Sequence, residues 1–331
     1  MNKKEIFLEQ IKVIISYIKK NELIEAERIT TNLLKKNDKD VGLINIYATI
    51  LIKLNKRKES IKNLFKSIKL NPNFHETYFI LSKVYYENND LDNAIKYAIK
   101  CVSIKADDGN VLILLGQIYF KKEEKDLSIK YFQKAINLNK TNWLAYYNLG
   151  VLFQKYSEYK NSIHNYKLSI KYNSNNYASH NNLGNVYQEL GYYELASKHL
   201  AHTINLNPKF VGAYSNYLYC LNFIESFDQK IYFKIAEKFT SNLETINFDK
   251  KKEQILKKEK INLGFVSGDF GIHPVSFYLV KLIELINKKK FCTYAYSNSN
   301  KNDLMTNKLK KNFNNWRQIN KINDKEVLNQ I

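Results

Sequence analysis

The sequence predicts a mostly α-helical protein, in which a superhelical array of paired helices is followed by a partial α/β unit of the Rossmann-like type. Small residues recur every 34 positions between Phe7 and about Phe210, which is typical of a helical repeat. An apolar run, a glycine-containing loop and a proline then follow one another from Ile261 onward. The chain has only 3 prolines and 10 glycines in 331 residues, which favours helices with short connections.

Two small-residue positions define the repeat. The first position holds Ala26, Ser60, Ala94, Ser128, Ser162 and Ala196, and the second holds Ala48, Ser82, Gly116, Gly150 and Gly184. Small side chains at these positions let the backbones of two paired helices approach closely. A leucine or an aromatic residue follows the second position by three residues, where it can fill the gap between neighbouring units. This pattern is that of tetratricopeptide repeats.

Six repeats are predicted, at residues 7–40, 41–74, 75–108, 109–142, 143–176 and 177–210, with a partial seventh at 211–224. Such an array coils into a superhelix with a concave groove, and grooves of this kind hold extended peptides. Asn148, Asn182 and Asn216 occupy one position in successive repeats, and an amide offers both a donor and an acceptor to a peptide backbone. We therefore predict that these three residues bind peptide. The alternative is that they reflect the abundance of asparagine throughout the chain.

Residues 225–260 are predicted to form a helical and Lys-rich linker, with an amphipathic helix over Asp228–Leu243 and lysines concentrated at Phe248–Lys260. The apolar run that begins at Ile261 then predicts a strand that is buried on both faces. Val275–Ile286 is apolar nearly all round, which predicts a helix packed inside a domain.

The loop between this strand and this helix is the candidate site. Gly268 and Asp269 break the chain after the strand, and Pro274 suits the first position of the helix. His273 lies at the helix N-terminus. Ligands of open α/β sheets bind beyond the carboxyl ends of the strands, beside such helix N-termini.

Two further apolar runs, Phe291–Tyr296 and Trp316–Ile319, and a last helix from about Asp324 complete a β-α-β-α-β-α alternation. This alternation predicts a parallel sheet with crossover connections. Asn302 or Asp303 is expected to cap the helix between the two runs.

The segments AYSNYLYCLNF, INLGFVSGDFGIHPVSFYLVKLIE and KKKFCTYAYSNS, together with the repeats, resemble the protein O-GlcNAc transferase family, also called SPINDLY-type or glycosyltransferase family 41. The resemblance covers essentially the entire chain. It implies that the repeats deliver an unfolded acceptor segment to a two-lobed GT-B transferase, with residues 261–331 as part of the first lobe. The implied reaction moves N-acetylglucosamine from UDP-GlcNAc to a Ser or Thr hydroxyl, without a metal or a cofactor.

The same resemblance assigns roles to the loop. His273 matches the histidine of the family's HP motif, which implies an active-site position and a role as general base. A near-neutral imidazole can accept the proton of the acceptor hydroxyl. Gly268, Asp269, Phe270 and Pro274 match the motif as loop-shaping positions, and Asp269 would fix His273 or the loop backbone by hydrogen bonds. The alternative role of His273 is to cap the helix or to fix the loop.

The nucleotide-binding part of the family is not matched. GT-B enzymes bind the nucleotide mainly through the second lobe, and this chain ends inside the first, so no nucleotide-binding residue is predicted. We expect a fragment, a split reading frame or a decayed copy, with a separately encoded C-terminal catalytic part as a partner. The donor stays open between UDP-GlcNAc and GDP-fucose. The alternative function is a repeat scaffold for protein–protein interaction with an inactive catalytic remnant.

Composition excludes several other classes of protein. Apart from the Lys-rich segment Lys250–Lys260, the net charge of +20 is not gathered into one stripe, so nucleic-acid binding is not predicted. The sequence predicts no membrane span and no secretory signal, and a cytoplasmic location is expected. The cysteines Cys101, Cys220 and Cys292 are far apart and predict neither a disulfide nor a zinc site. His199 and His202 lie one helical turn apart, but no carboxylate or cysteine in the sequence completes a metal site with them.

Overall fold

The computed structural model describes residues 3–225, 229–242, 260–322 and 326–327. The chain divides into two compact units, Met1–Thr245 and Ile246–Ile331. Most of the predicted Lys-rich segment and of the predicted last helix lies outside the described residues. No helix within the described ranges is long and apolar enough to cross a membrane.

The first unit consists of helices that pack in consecutive pairs, and we call the first helix of each pair the A helix and the second the B helix. The A helices are α1 (Lys3–Lys19), α3 (Val41–Lys53), α5 (His75–Glu87), α7 (Gly109–Lys121), α9 (Trp143–Lys155), α11 (Tyr177–Glu189) and α13 (Val211–Leu221). The B helices are α2 (Leu23–Leu34), α4 (Arg57–Leu70), α6 (Leu91–Ile104), α8 (Lys125–Leu138), α10 (Tyr159–Tyr172), α12 (Tyr193–Leu206) and α14 (Gln229–Asn242).

The helix boundaries confirm the 34-residue period. From α3 to α13 the A helices begin in steps of 34, and from α2 to α12 the B helices do the same. Four A helices are capped by the side chain of the residue that precedes them: Asp40, Asp108, Asn142 and Asn176. These side chains accept bonds from backbone N–H groups that have no partner inside the helix, which is why the helices start there.

The two small-residue positions face each other in the second to the sixth pair, as predicted. Serine hydroxyls of the B helices donate to A-helix carbonyl oxygens at 2.8 to 2.9 Å: Ser60 to Ala48, Ser128 to Gly116 and Ser162 to Gly150. A Cβ atom at Gly150 would lie only 2.5 Å from the Tyr166 ring, so a side chain at this position would clash with the paired helix. The close approach of the two backbones therefore depends on the absence of a side chain there.

A seventh pair closes the array. Ile235 and Phe239 of α14 pack against Ile204 and Tyr214, and the rings of Tyr214 and Phe239 stack with centroids 6.0 Å apart. The small-residue position of a B helix would fall at Lys230, so α14 does not follow the repeat pattern, although it packs against α13. Aromatic and aliphatic side chains pack in this pair, without the small B-helix residue of the earlier pairs.

The second unit contains β1 (Ile261–Ser267), α15 (Pro274–Leu285), β2 (Phe291–Ser297), α16 (Leu304–Asn312) and β3 (Asn315–Gln318). The strands form a parallel sheet in the order β1-β2-β3, with Ile261 opposite Phe291 and Tyr294 opposite Asn315. The predicted parallel sheet with crossover helices is therefore present in the described residues.

Burial in this unit differs from the prediction. The strand β1 is not buried on both faces, since Val266 is 60% exposed. The helix α15 is not enclosed either, because Tyr278 is 81% and Leu285 is 72% exposed. Within the described residues, α15 and α16 cover one face of the sheet, where Phe270 and Phe313 form the core with neighbouring aliphatic residues. Side chains of β1 and α15 that point away from this core are exposed, whereas Tyr296 of β2 is 4% exposed.

Candidate peptide-binding face and histidine loop

The three predicted peptide-binding asparagines connect successive A helices. The Oδ1 atom of Asn148 in α9 accepts a hydrogen bond from Gln117 in α7, at 3.1 Å. In the same way, the Nδ2 atom of Asn216 in α13 donates to Asn185 in α11, at 2.9 Å. These two pairs have the same spacing of 31 residues.

Asn182 makes a comparable link with a different partner. Its Nδ2 atom lies 3.4 Å from the hydroxyl oxygen of Tyr147 in α9, and its Oδ1 atom accepts from Asn181. All three asparagines are half-buried. The amide ladder, as we call Gln117, Asn148, Asn181, Asn182, Asn185 and Asn216, therefore lies on four successive A helices, and the hydroxyl of Tyr147 links α9 to α11. We refer to the side of the array that carries it as the inner face.

Sequence reasoning missed three members of the ladder. The predicted asparagines share one position of the repeat. Gln117 and Asn185 lie three residues after that position in their own repeats, and Asn181 lies one residue before it. Positions three apart on a helix lie on neighbouring parts of its surface. The amides of Gln117 and Asn185 at this second position were the available signal, although Val151 and Tyr219 hold it in the other two repeats.

His273 caps α15. It is the residue before the helix, in an extended conformation, and its Nδ1 atom accepts a hydrogen bond from the backbone N–H of Val275 at 3.4 Å. Because Nδ1 accepts, the neutral imidazole carries its proton on Nε2 in this arrangement. Capping of the helix, the alternative role that the sequence suggested for His273, is thus observed. Its role as general base stays a prediction.

The loop that precedes His273 is held by α16. The Oδ2 atom of Asp303 accepts from the backbone N–H of Ile272 at 2.8 Å, while the hydroxyl of Thr306 donates to the carbonyl oxygen of Phe270 at 2.8 Å. Asp303 also caps α16, one of the two caps that the sequence offered. Backbone N–H groups of Thr306 and Ile272 donate to its carboxylate and lower its pKa below the usual value.

Of the predicted loop residues, Asp269 forms hydrogen bonds through its backbone and Phe270 packs through its ring. Asp269 accepts hydrogen bonds at its carbonyl oxygen from Gly271 and Ser276, whereas the His273 ring bonds to the backbone of Val275. Phe270 is buried in the core, with its ring 5.3 Å from that of Trp316.

The remaining loop positions differ in how much space they have. A Cβ atom at Gly268 would meet nothing closer than 3.9 Å, so glycine is not required there for space. A Cβ atom at Gly271 would lie 2.8 Å from the Oδ2 atom of Asp303, so the bond between Asp303 and the loop requires this glycine. Pro274 occupies the first position of α15, as predicted.

Three histidines of the sixth repeat form a cluster that sequence spacing did not reveal. The Nδ1 atoms of His180 and His199 lie 3.1 Å apart, and the rings of His180 and His202 have centroids 4.3 Å apart. Burial lowers the pKa of His180 to about 4 and also lowers that of His199. Within the described part of the chain, no group of three metal-ligating side chains is arranged to hold an ion.

Comparison with known families supports the repeat assignment. A TPR repeat model matches residues 116–156, and a tetratricopeptide repeat model matches residues 177–210. A model described as ChAPs (Chs5p-Arf1p-binding proteins) matches residues 3–103. No curated protein matches the chain.

Solved structures similar to the chain include other repeat proteins. The APC/C hetero-tetramer Cut9-Hcn1 has a TM-score of 0.57 and 20% identity, with 65% of this chain and 43% of that chain covered. PilW, a type IV pilus biogenesis factor, has a TM-score of 0.52 and 13% identity, with 61% and 91% covered. An O-GlcNAc transferase of Thermobaculum terrenum has a TM-score of 0.42 and 20% identity, with 67% and 43% covered. The chain thus spans less than half of the first and the third of these proteins. Together, the family models and the helix geometry show that the first unit is an array of tetratricopeptide repeats.

Proposed function

We propose that the chain binds extended protein segments along the inner face of its repeats and that it is the acceptor-binding part of an O-GlcNAc-transferase-like enzyme. The amide ladder is the observation that carries the first statement. It places side-chain donors and acceptors in one strip from α7 to α13, and a peptide backbone presents the complementary groups. Backbone recognition of this kind would accept segments of many sequences.

The experiment compares peptide binding by the wild-type chain and by an Asn148/Asn182/Asn216→Ala variant. Fluorescence anisotropy with a pool of labelled random peptides that contain serine and threonine measures the affinity. We expect at least about tenfold weaker binding by the variant, since each lost amide leaves part of the peptide backbone without a partner. An Asn137/Asn161→Ala variant, with both changes on exposed B-helix positions, is the control. Equal binding by both variants would refute the role of the ladder.

The transferase part of the proposal is carried by the loop. The segment that resembles the family's HP motif folds as a strand, a loop and a helix, with His273 at the helix N-terminus and beside the carboxyl end of β1. In the proposed reaction the acceptor oxygen attacks C1 of GlcNAc, the bond from C1 to UDP breaks, and the hydroxyl proton passes to an imidazole nitrogen. For Nε2 to accept this proton, the ring must carry its other proton on Nδ1, and the capping bond to Val275 must then be released.

A transfer assay tests the enzyme proposal against the scaffold alternative. Transfer from radiolabelled UDP-GlcNAc to the peptide pool is measured for this chain, alone and with any protein encoded directly downstream, and GDP-fucose is tested in parallel. Transfer that appears with the second protein and is lost in His273→Ala supports the enzyme. Peptide binding without transfer in either mixture supports an interaction scaffold.

A further inference from the structure

A cavity of about 270 Å³ opens on the inner face where the amide ladder ends. The helices α5, α7 and α9 line it, and its apolar surface comes from Phe79, Tyr86, Ile113, Leu114 and Leu144. Leu114 occupies the repeat position that asparagine holds at 148, 182 and 216, so the inner face changes from polar to apolar at this point. The volume is slightly below the range of pockets for drug-sized ligands and suits a single large side chain.

The cavity is joined to the ladder by one residue. Gln117 lines the cavity, and its Nε2 atom donates to Asn148, the first of the three ladder asparagines. A segment whose backbone is bound by Asn148 therefore runs directly past the opening. Ile113 and Leu114 are buried, while the rings of Phe79 and Tyr86 are half-buried, so the base of the cavity is packed and its walls remain accessible.

The charges at the opening are mainly positive. Lys83 lines the cavity and is exposed, and the Nζ atom of Lys121 lies 5.0 Å above the ring of Tyr86. Neither lysine forms an ion pair with a carboxylate of the described residues, and Glu87 is the acidic residue among those that line the cavity. With the net charge of +20, this surface favours an acidic ligand over a basic one.

We propose that this cavity takes one bulky apolar side chain of the bound segment, next to an acidic residue that interacts with Lys83 and Lys121. This inference rests on the proposed peptide binding and adds a point of sequence selection to it. The ladder contacts the backbone, whereas the cavity selects segments by a single apolar residue with an acidic neighbour. Partner proteins with such a pair in an unfolded region would be bound in preference to others.

The test uses three labelled peptides of identical backbone length that differ at two positions, with Phe-Glu, Ala-Glu or Phe-Lys at the centre. We expect the wild-type chain to bind the Phe-Glu peptide about tenfold more tightly than the Ala-Glu peptide, because a buried phenylalanine ring removes a large apolar area from water. The Phe-Lys peptide should also bind more weakly than the Phe-Glu peptide, by a factor that decreases with salt.

Variants of the chain locate the effect. Leu114→Asn, which introduces the side chain that other repeats carry at this position, should remove the preference of the chain for the Phe-Glu peptide over the Ala-Glu peptide. Lys83→Glu should remove the preference for Phe-Glu over Phe-Lys. Phe65→Ala, a change on the B helix α4, is the control and should keep both preferences. Circular dichroism verifies that each variant is folded.

The outcomes separate this inference from the proposed function. If all three peptides bind the wild-type chain equally and the asparagine triple variant binds them weakly, the cavity proposal is overturned and the ladder is retained. If none of the peptides binds, both proposals fail. Preferences that persist in both Leu114→Asn and Lys83→Glu would place the selecting site elsewhere and would also overturn this inference.

Discussion

A left-handed backbone conformation recurs at the turn inside each of the first six helical pairs. The residues with positive φ in the first six repeats are Asn21, Asn55, Asn89, Glu123, Ser157 and Gly191, and they are spaced by 34. Asparagine and glycine adopt this conformation readily, whereas a residue such as serine or glutamate is disfavoured there. The turn is therefore set by the geometry of the pair and is imposed on residues that do not favour it.

Ser157→Gly should stabilise the first unit by about 1 kcal/mol, because glycine removes the steric cost of a positive φ. Urea denaturation followed by circular dichroism measures the change. Gly191→Ala is the matched control, since a Cβ atom there would contact nothing within 4 Å and only the backbone conformation changes. It should destabilise the unit by about 1 kcal/mol. Equal stability of all three chains would contradict the strain at this turn.

The histidine cluster makes stability depend on pH. Because burial lowers the pKa of His180 to about 4 in the folded chain, the unfolded chain binds a proton more readily between pH 6.5 and 4. Stability should therefore be fully present above pH 6.5 and should fall as the pH decreases through this window. We expect a loss of about 1–2 kcal/mol between pH 7 and pH 5.

Urea denaturation at several pH values measures this dependence. His180→Gln should flatten the profile between pH 7 and pH 5, and His164→Gln, outside the cluster and exposed, should retain it. If the free energy of unfolding of the wild-type chain does not change over this pH range, protonation of the cluster does not destabilise the fold.

At the scale of single elements, the packing of a helical pair depends on close contact between its two backbones. In the second unit, the burial of an element depends on which other elements cover it. The glycines at the second small position lie against large B-helix side chains, and the serines at the first position bond to A-helix carbonyl groups. The strand β1 and the helix α15 are both apolar in sequence. Among the described residues, however, other elements cover each of them on one side only.

Gly150→Ala should destabilise the first unit by about 1–3 kcal/mol, although alanine favours helices, because its Cβ atom would lie 2.5 Å from the Tyr166 ring. Gly212→Ala is the matched control in another A helix, where a Cβ atom would have its nearest contact at 3.8 Å. That change should leave stability unchanged or slightly increase it. Thermal unfolding compares the two, and similar effects of both changes would contradict the close approach of α9 and α10.

At the scale of the whole molecule, the first unit has a series of local cores instead of one. The hydrophobic clusters follow one another along the chain, from the group with Ile14 and Leu43 to the group with Ile204 and Tyr214. Stability in such an array is a sum of interactions between neighbouring helices. The net charge of +20 belongs to the whole chain and favours an acidic ligand over a basic one.

Deletion of residues 1–40 should leave the remaining repeats folded at a lower melting temperature. The loss exposes Leu43 and Ile50, which pack against the deleted pair, but the clusters further along the chain keep their neighbours. Circular dichroism should show an unchanged helical signal per residue of the shortened chain and a cooperative transition. Complete loss of structure would show that the unit has one global core.

The sequence by itself determined the 34-residue period, the order of strands and helices along the second unit, and a cap of α16 at Asn302 or Asp303, of which Asp303 is the one observed. These features follow from local patterns, in which residue type and spacing decide the outcome within one or two helices. Only the tertiary structure decided which partners the ladder amides have, that α16 holds the loop before His273, and that β1 and α15 are exposed on one side. These features depend on which surfaces meet across residues distant in the chain. A sequence pattern specifies that a face is apolar or polar, and the packing of the chain specifies what that face contacts.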